Sequence, residues 1–145
     1  MSDPVVVARG RKERAMAVNM EMNVLIVDDY KTMLRIIGNL LKQLGFKNVD
    51  EAESGGAALD LLRKGEKTYG LVISDWNMEP MSGYQLLKEV QADDKLKATP
   101  FIMVTAESKT ENVVAAKEAG VNNYIVKPFN APTLKTKLTS VLCEF

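Results

Sequence analysis

Leu71-Val72-Ile73-Ser74-Asp75-Trp76-Asn77-Met78 passes from an apolar run to a lone carboxylate in a few residues. Leu71 to Ile73 is short and continuously apolar, the pattern of a strand buried on both faces. Asp75 ends it abruptly. Glu79-Pro80-Met81-Ser82-Gly83 then reads as a loop turning into a helix. This order places Asp75 at the carboxyl end of a central parallel strand. Open α/β sheets bind ligands and do chemistry at that edge.

The flanking sequence supplies the rest of such a sheet. Val24-Leu25-Ile26-Val27 is a buried strand ending at Asp28-Asp29, followed by Met33, Leu34, Ile36, Ile37, Leu40, Leu41 and Leu44 at helical spacing, with Gly45 as the cap. Val49 to Glu53 is a polar strand that suits a sheet edge. Ser54 caps a helix carrying Ala57, Ala58, Leu59, Leu61 and Leu62 that stops near Gly65. Beyond Asp75, a helix runs from about Gly83 to Ala92. Pro100 opens the strand Phe101-Ile102-Met103-Val104, which ends at Thr105. A helix over roughly Lys109 to Ala119 follows, then the strand Tyr124-Ile125-Val126 ending at Lys127-Pro128, and a last helix with Leu134, Leu138, Val141 and Leu142. Five β-α units of this length predict an α/β fold: a five-stranded parallel sheet with five helices on its two faces. Right-handed crossovers and a weak second strand select the order 2-1-3-4-5. Residues 1–22 read as an extension, disordered or carried in from an upstream start. They include the cluster Arg9-Gly10-Arg11-Lys12-Glu13-Arg14, whose sharper reading is a basic arm for an acidic partner. Residues 23–145 read as the single domain.

Composition excludes several chemistries. Lys+Arg 19 balances Asp+Glu 19, so charge points to neither nucleic acid nor a membrane surface. There is no histidine, which removes Ser-His-Asp and Cys-His nucleophilic sites and every histidine-ligated metal. The one cysteine, Cys143, has no partner for an internal disulfide or a zinc site. A metal here is held by oxygen, which favours magnesium, calcium or manganese. No apolar run approaches a membrane span and no signal-peptide core is visible, so the chain reads as cytoplasmic.

The strand ends carry Asp28 and Asp29, Asp75, Thr105 and Lys127. In the order 2-1-3-4-5 they converge on one rim. Two like unit charges at ~4 Å repel by roughly 4 kcal/mol at an effective dielectric of 20. The rim therefore needs a protonated carboxylate or a cation. Lys127 offsets one charge, and a magnesium ion neutralises the remainder. Carboxylate, metal, ammonium and hydroxyl together suit a phosphoryl group, with Asp75 as the nucleophile, Lys127 and the metal against the developing charge, and Thr105 as a hydrogen-bond donor. Taken singly these residues have plainer readings. Asp28 or Asp29 explains itself as a helix N-cap, Thr105 likewise, Asp75 as a turn residue and Lys127 as a solvated lysine. Only their joint placement is specific.

Leu25-Ile26-Val27-Asp28-Asp29, Ile73-Ser74-Asp75-Trp76-Asn77-Met78, Val104-Thr105-Ala106-Glu107 and Val126-Lys127-Pro128-Phe129 together resemble the receiver domain of two-component response regulators, over about 23–145. Tyr30-Lys31-Thr32-Met33 and Gly120-Val121-Asn122-Asn123-Tyr124 look like the single-domain chemotaxis members. The resemblance implies a doubly wound, flavodoxin-like fold and a phospho-accepting switch rather than an enzyme. Asp75 would take phosphate from a CheA-like sensor histidine kinase. Asp29, Asp75 and the backbone carbonyl of Asn77 would bind Mg2+, with Asp28 acting through water. Thr105 and Lys127 would hold the phosphoryl oxygens. Thr105 and Tyr124 would then move and reshape a face that includes Lys109, Tyr124 and Lys137, read by the flagellar motor switch protein. A phosphatase is a possible further partner, the Lys127-Pro128 bond would be cis, and the protein would be a monomer. Asn77 and Glu107 lie near the family's route for attacking water. In the loop, Pro80 is displaced by one position and Glu79 adds a negative charge. The alternative within the family is a phosphate sink or phosphorelay intermediate. A haloacid-dehalogenase-like phosphatase would need Asp-x-Asp after the first strand, where this chain has an adjacent pair. A flavodoxin-like electron carrier would need a Ser/Thr/Gly-rich phosphate loop, where Asp28-Asp29-Tyr30 repels phosphate.

Overall fold

The computed structural model describes residues 21–105, 114–115, 117–121, 123–126 and 130–142. The strands are β1 (Asn23–Val27), β2 (Asn48–Ala52), β3 (Tyr69–Asp75), β4 (Phe101–Thr105) and β5 (Asn123–Val126). The helices are α1 (Lys31–Gln43), α2 (Gly55–Lys64), α3 (Gly83–Ala92) and α4 (Ala131–Leu142). Residues 114–115 and 117–118 are also helical, inside the helix expected between the fourth and fifth strands; residues 109–113 and 116 of that expectation lie outside the described residues.

All strand pairs are parallel and the order is β2-β1-β3-β4-β5, as the alternating pattern predicts. Successive side chains point to opposite faces, so each central strand feeds two cores. Val24, Ile26, Leu71, Ile73, Ile102, Val104 and Ile125 pack with Leu34, Ile37 and Leu41 of α1 and with Leu134 and Leu138 of α4. Leu25, Val27, Val72, Phe101 and Met103 pack with Ala58, Leu59 and Leu62 of α2 and with Leu86, Leu87 and Val90 of α3. This two-sided burial is why β1, β3 and β4 read as unbroken apolar runs. The edge strand β2 is buried only at Ala52 and keeps a polar sequence.

Helix starts gather at the carboxyl rim of the sheet. Ser54 caps α2, its Oγ accepting from the Ala57 N–H at 3.1 Å. Ser82 caps α3 through a full capping box: its Oγ accepts from Gln85 N–H at 3.1 Å, and the Gln85 side chain accepts from Ser82 N–H at 2.9 Å. At the far ends, Gly65 adopts φ 75° behind α2, a left-handed stop that favours glycine.

Glu21 and Met22, assigned from sequence to the extension, are joined to the folded unit. Lys47 Nζ lies 3.0 Å from Glu21 Oε2, and Asn48 Nδ2 donates to the Glu21 carbonyl at 2.7 Å. The Met22 side chain lies against Gly70, at the start of β3. Among the described residues no helix is long and apolar enough to cross a membrane.

Candidate functional site

Two neighbouring strands deliver the carboxylates. The register pairs Val27 with Ser74, so the residues that follow, Asp28 and Asp75, sit side by side at the rim. The Asp28 N–H donates to the Ala52 carbonyl at 3.1 Å, which carries the β1–β2 ladder one residue beyond the strand. Its side chain is 1% exposed, and Oδ1 accepts from the Tyr30 N–H at 3.0 Å. This is an Asx turn, not a helix cap. The cap position of α1 belongs to Tyr30, which makes no side-chain cap bond. The capping explanation for Asp28 and Asp29 is therefore not realised, and Asp29 is exposed.

Asp75 is 5% exposed and pairs with Val104 of β4. Its backbone is fixed on several sides. Ser74 Oγ donates to the Asp75 carbonyl at 3.0 Å, Trp76 N–H donates to Val104 O at 2.8 Å, and Gly83 N–H donates to Trp76 O at 2.9 Å. Gly83 opens α3 because nothing larger fits. A Cβ there would land on the Asp75 carbonyl oxygen and 2.9 Å from Met103 Sδ. Gly55, which opens α2, is crowded in the same way by Met81, whose Sδ would stand 2.8 Å from a Cβ. Both helices on this face thus begin Ser-Gly, with a cap followed by a residue whose missing side chain admits the end of β3, at Gly83, or the loop after it, at Gly55.

Carboxylate oxygens of Asp28, Asp29 and Asp75 lie within 4.8 Å of one another. Oδ2 of Asp28 and Oδ1 of Asp75 are buried and receive no hydrogen bond among the described residues, although each carboxylate has other contacts. The donor set is all oxygen, mostly anionic and half enclosed. It fits a hard divalent cation that keeps several waters, and it lacks the nitrogen or sulfur ligands of zinc or copper. Chemically, three crowded carboxylates can hold such a cation and offer one oxygen as a nucleophile.

The remaining expected positions fall as follows. Asn77 is exposed next to Trp76, while Met78 turns back into the core at 5% exposure. Thr105 ends β4, paired with Val126. Tyr124 of β5 is half-buried and Lys137 of α4 holds its ammonium 4.9 Å from the ring centroid, so these two residues do share a face. Lys109, Glu107, Lys127 and the Lys127-Pro128 bond lie outside the described residues. Among the described residues the cis bond is Glu79-Pro80. Sequence reasoning missed a stack: the Trp76 and Tyr84 rings lie 5.4 Å apart at 18°, with Lys88 Nζ 5.3 Å from the Tyr84 centroid. The available signal was Tyr84 and Lys88 one turn apart on the helix that follows the loop after β3.

Residues 24–139 match the family model described as the response regulator receiver domain. Chemotaxis protein CheY-3 of Vibrio cholerae is 52% identical over 124 residues, 86% of this chain and 94% of that protein. Among solved structures, V. cholerae CheY4 crystallised at low pH is similar with a TM-score of 0.77 and 34% identity, over 84% of this chain and 99% of that one. The CheX-CheY-BeF3-Mg+2 complex from Borrelia burgdorferi gives 0.76 and 27% identity, over 82% of this chain and 87% of that one. The family match, the extent of the identity and the shared sheet agree: this chain belongs to the response regulator receiver domain family.

Proposed function

We propose that this chain is a chemotaxis response regulator in which Asp75 accepts a phosphoryl group from the phosphohistidine of a sensor histidine kinase. The observation that carries this reading is the gathering of the Asp28, Asp29 and Asp75 oxygens within 4.8 Å, with Asp28 and Asp75 buried at the ends of adjacent central strands. An Asp75 oxygen attacks phosphorus. The new O–P bond forms as the N–P bond of the phosphohistidine breaks, and the imidazole nitrogen leaves with the bonding pair.

Asp29, Asp75 and the Asn77 carbonyl hold Mg2+ in this reading, with Asp28 reaching it through water. Bound there, Mg2+ sets positive charge against the acceptor and the phosphoryl oxygens. The presence of Mg2+ and BeF3 with the B. burgdorferi relative supports that choice of ion. Lys127 and Thr105 take the phosphoryl oxygens, and Asp28 anchors the turn into α1 through Tyr30. Tyr124, Lys137 and Lys109 form the output face, and the flagellar motor switch is its target. The chemotaxis designation of CheY-3 supports that branch of the family.

Intact mass spectrometry with acetyl phosphate and Mg2+ tests the acceptor. A single phosphoryl adduct should appear in the wild type and be absent in Asp75→Asn and in EDTA. An adduct that persists in Asp75→Asn overturns the assignment. Mixing the phosphorylated protein with its kinase then separates a motor-binding regulator from a phosphate sink, because a sink returns phosphate to the histidine.

A further inference from the structure

The first two residues of α3 grip the exit of the acceptor strand. Gly83 takes the main chain: its N–H binds Trp76 O at 2.9 Å, and its bare α-carbon admits the Asp75 carbonyl. Tyr84 takes the side chain, stacking on the Trp76 indole at 5.4 Å between centroids and 18° between planes. The Ser82–Gln85 capping box fixes the start of this helix, and Lys88 lies 5.3 Å over the Tyr84 ring. Trp76 is thus held at its N–H by Val104, at its carbonyl by Gly83 and at its ring by Tyr84. It stands between Asp75 and Asn77.

We infer that Tyr84 is a positioning residue for the metal site: by seating the Trp76 indole it holds the Trp76 backbone, and so helps to place the α-carbons of Asp75 and Asn77, which carry the carboxylate and the carbonyl. This rests on the metal-binding reading given above. A small, octahedral ion tolerates little displacement of its ligands. The peptide unit is planar, so a displacement of Trp76 is carried across a rigid unit to the α-carbons of Asp75 and Asn77. An indole stacked on Tyr84 resists that displacement. The ring performs this task and the phenol hydroxyl does not, so phenylalanine should replace tyrosine.

A purely structural Tyr84 would contribute stacking energy to the fold and leave ion affinity alone. The two roles separate in one experiment on the full chain. Mn2+ affinity is read from the electron paramagnetic resonance of the free ion, with Mg2+ as competitor, because indole fluorescence changes when its stacking partner does. Metal-free stability is read by urea unfolding in EDTA. Tyr84→Leu should bind Mn2+ roughly tenfold more weakly, the scale of losses from residues that support metal ligands, and Tyr84→Phe within about twofold of wild type. Trp76→Leu, and its double variant with Tyr84→Leu, should lose no more than Tyr84→Leu alone, because both single changes break one stack. This pair also carries the test if Tyr84→Leu fails to fold by itself.

Tyr84→Leu, or Trp76→Leu where that variant alone folds, with wild-type affinity and lower stability overturns the inference, as does a Tyr84→Phe as weak as Tyr84→Leu. A wild type that binds no Mn2+, or binds it as Asp75→Asn does, sinks the metal reading itself and the positioning role with it. Failure of the metal reading is thus seen in the wild type and Asp75→Asn, whereas failure of the positioning role alone is seen only in the stack variants.

Discussion

The two ends of the sheet treat aspartate in opposite ways. At the carboxyl rim, three carboxylates crowd within 4.8 Å. Toward the other end, Asp50 in the middle of β2 meets opposite or neutral partners from the amino end of β3 and the segment before it. The Tyr69 hydroxyl donates to its Oδ2 at 2.6 Å and Lys67 Nζ reaches the same oxygen at 2.9 Å. Arg63, in the last turn of α2, adds Glu89 at 3.2 Å and Asp93 at 3.5 Å. The paired end is arranged for stability, because each charge meets a partner inside the chain. The crowded end suits a cation from outside, because like charges so close are relieved when one arrives. β3 thus has a crowd of like charges at its carboxyl end and matched side chains at its amino end.

The largest expected effect breaks the rim. Asp75→Asn should abolish the phosphoryl adduct in intact mass spectrometry. Mg2+ should raise the melting temperature of the wild type, since an ion binding only the folded state stabilises it by mass action, and Asp75→Asn should remove most of that rise. Variants at the paired end should keep the full Mg2+ response. Next comes Gly83→Ala, which drives a methyl group into the Asp75 carbonyl and Met103. Overpacking of this kind costs about 1–3 kcal/mol, measurable in urea, and should slow phosphorylation as well.

Tyr69→Phe probes the paired end and should cost about 1.5–3 kcal/mol, the worth of a hydrogen bond to a charged group, with no change in phosphorylation. Its pH dependence follows from two shifts. The Tyr69 hydroxyl, more than Lys67, holds the Asp50 carboxyl below its ordinary 3.8, with burial opposing it. A depressed carboxylate contributes stability above the unfolded value and loses it as pH falls through the folded one. Burial first, then the Asp50 bond, pushes the Tyr69 phenol above its ordinary 10.0. That contribution is complete below the unfolded value and is lost as pH rises. The gap between wild type and Tyr69→Phe should therefore be widest at neutral pH and narrow at both extremes. Arg63→Ala is the smallest change. Its pairs are half exposed, so less than about 1 kcal/mol is expected, and 1 M salt should erase the difference.

The sheet was legible because its signal is local. Apolar runs such as Leu71–Ile73 mark strands buried on both faces, and polar Asn48–Ala52 marks an edge. The gathering of Asp28, Asp29 and Asp75 was legible one step later, because parallel order alone sends strand ends to a common rim. The start of β3 at Tyr69 was less so, since it rests on the backbone pairing of Tyr69 with Asn23, across a register shift. The tight seats at Gly55 and Gly83 and the Trp76–Tyr84 stack are distances between elements, and no periodicity encodes them. The Asx turn at Asp28 was also hidden, because the same residue type before a helix serves equally as a cap.

The order β2-β1-β3-β4-β5 also bears on how the protein comes together in time. β1 and β3 lie side by side, yet the chain visits β2 and α2 between them, so Asp28 and Asp75 meet only after a long loop closes. Contacts of such separation form late relative to hairpins and single helix turns. A cation site at this rim would then be a product of folding and not its seed. Mg2+ should leave the refolding rate nearly unchanged and act on the unfolding rate instead, prolonging the life of the folded protein in proportion to its occupancy.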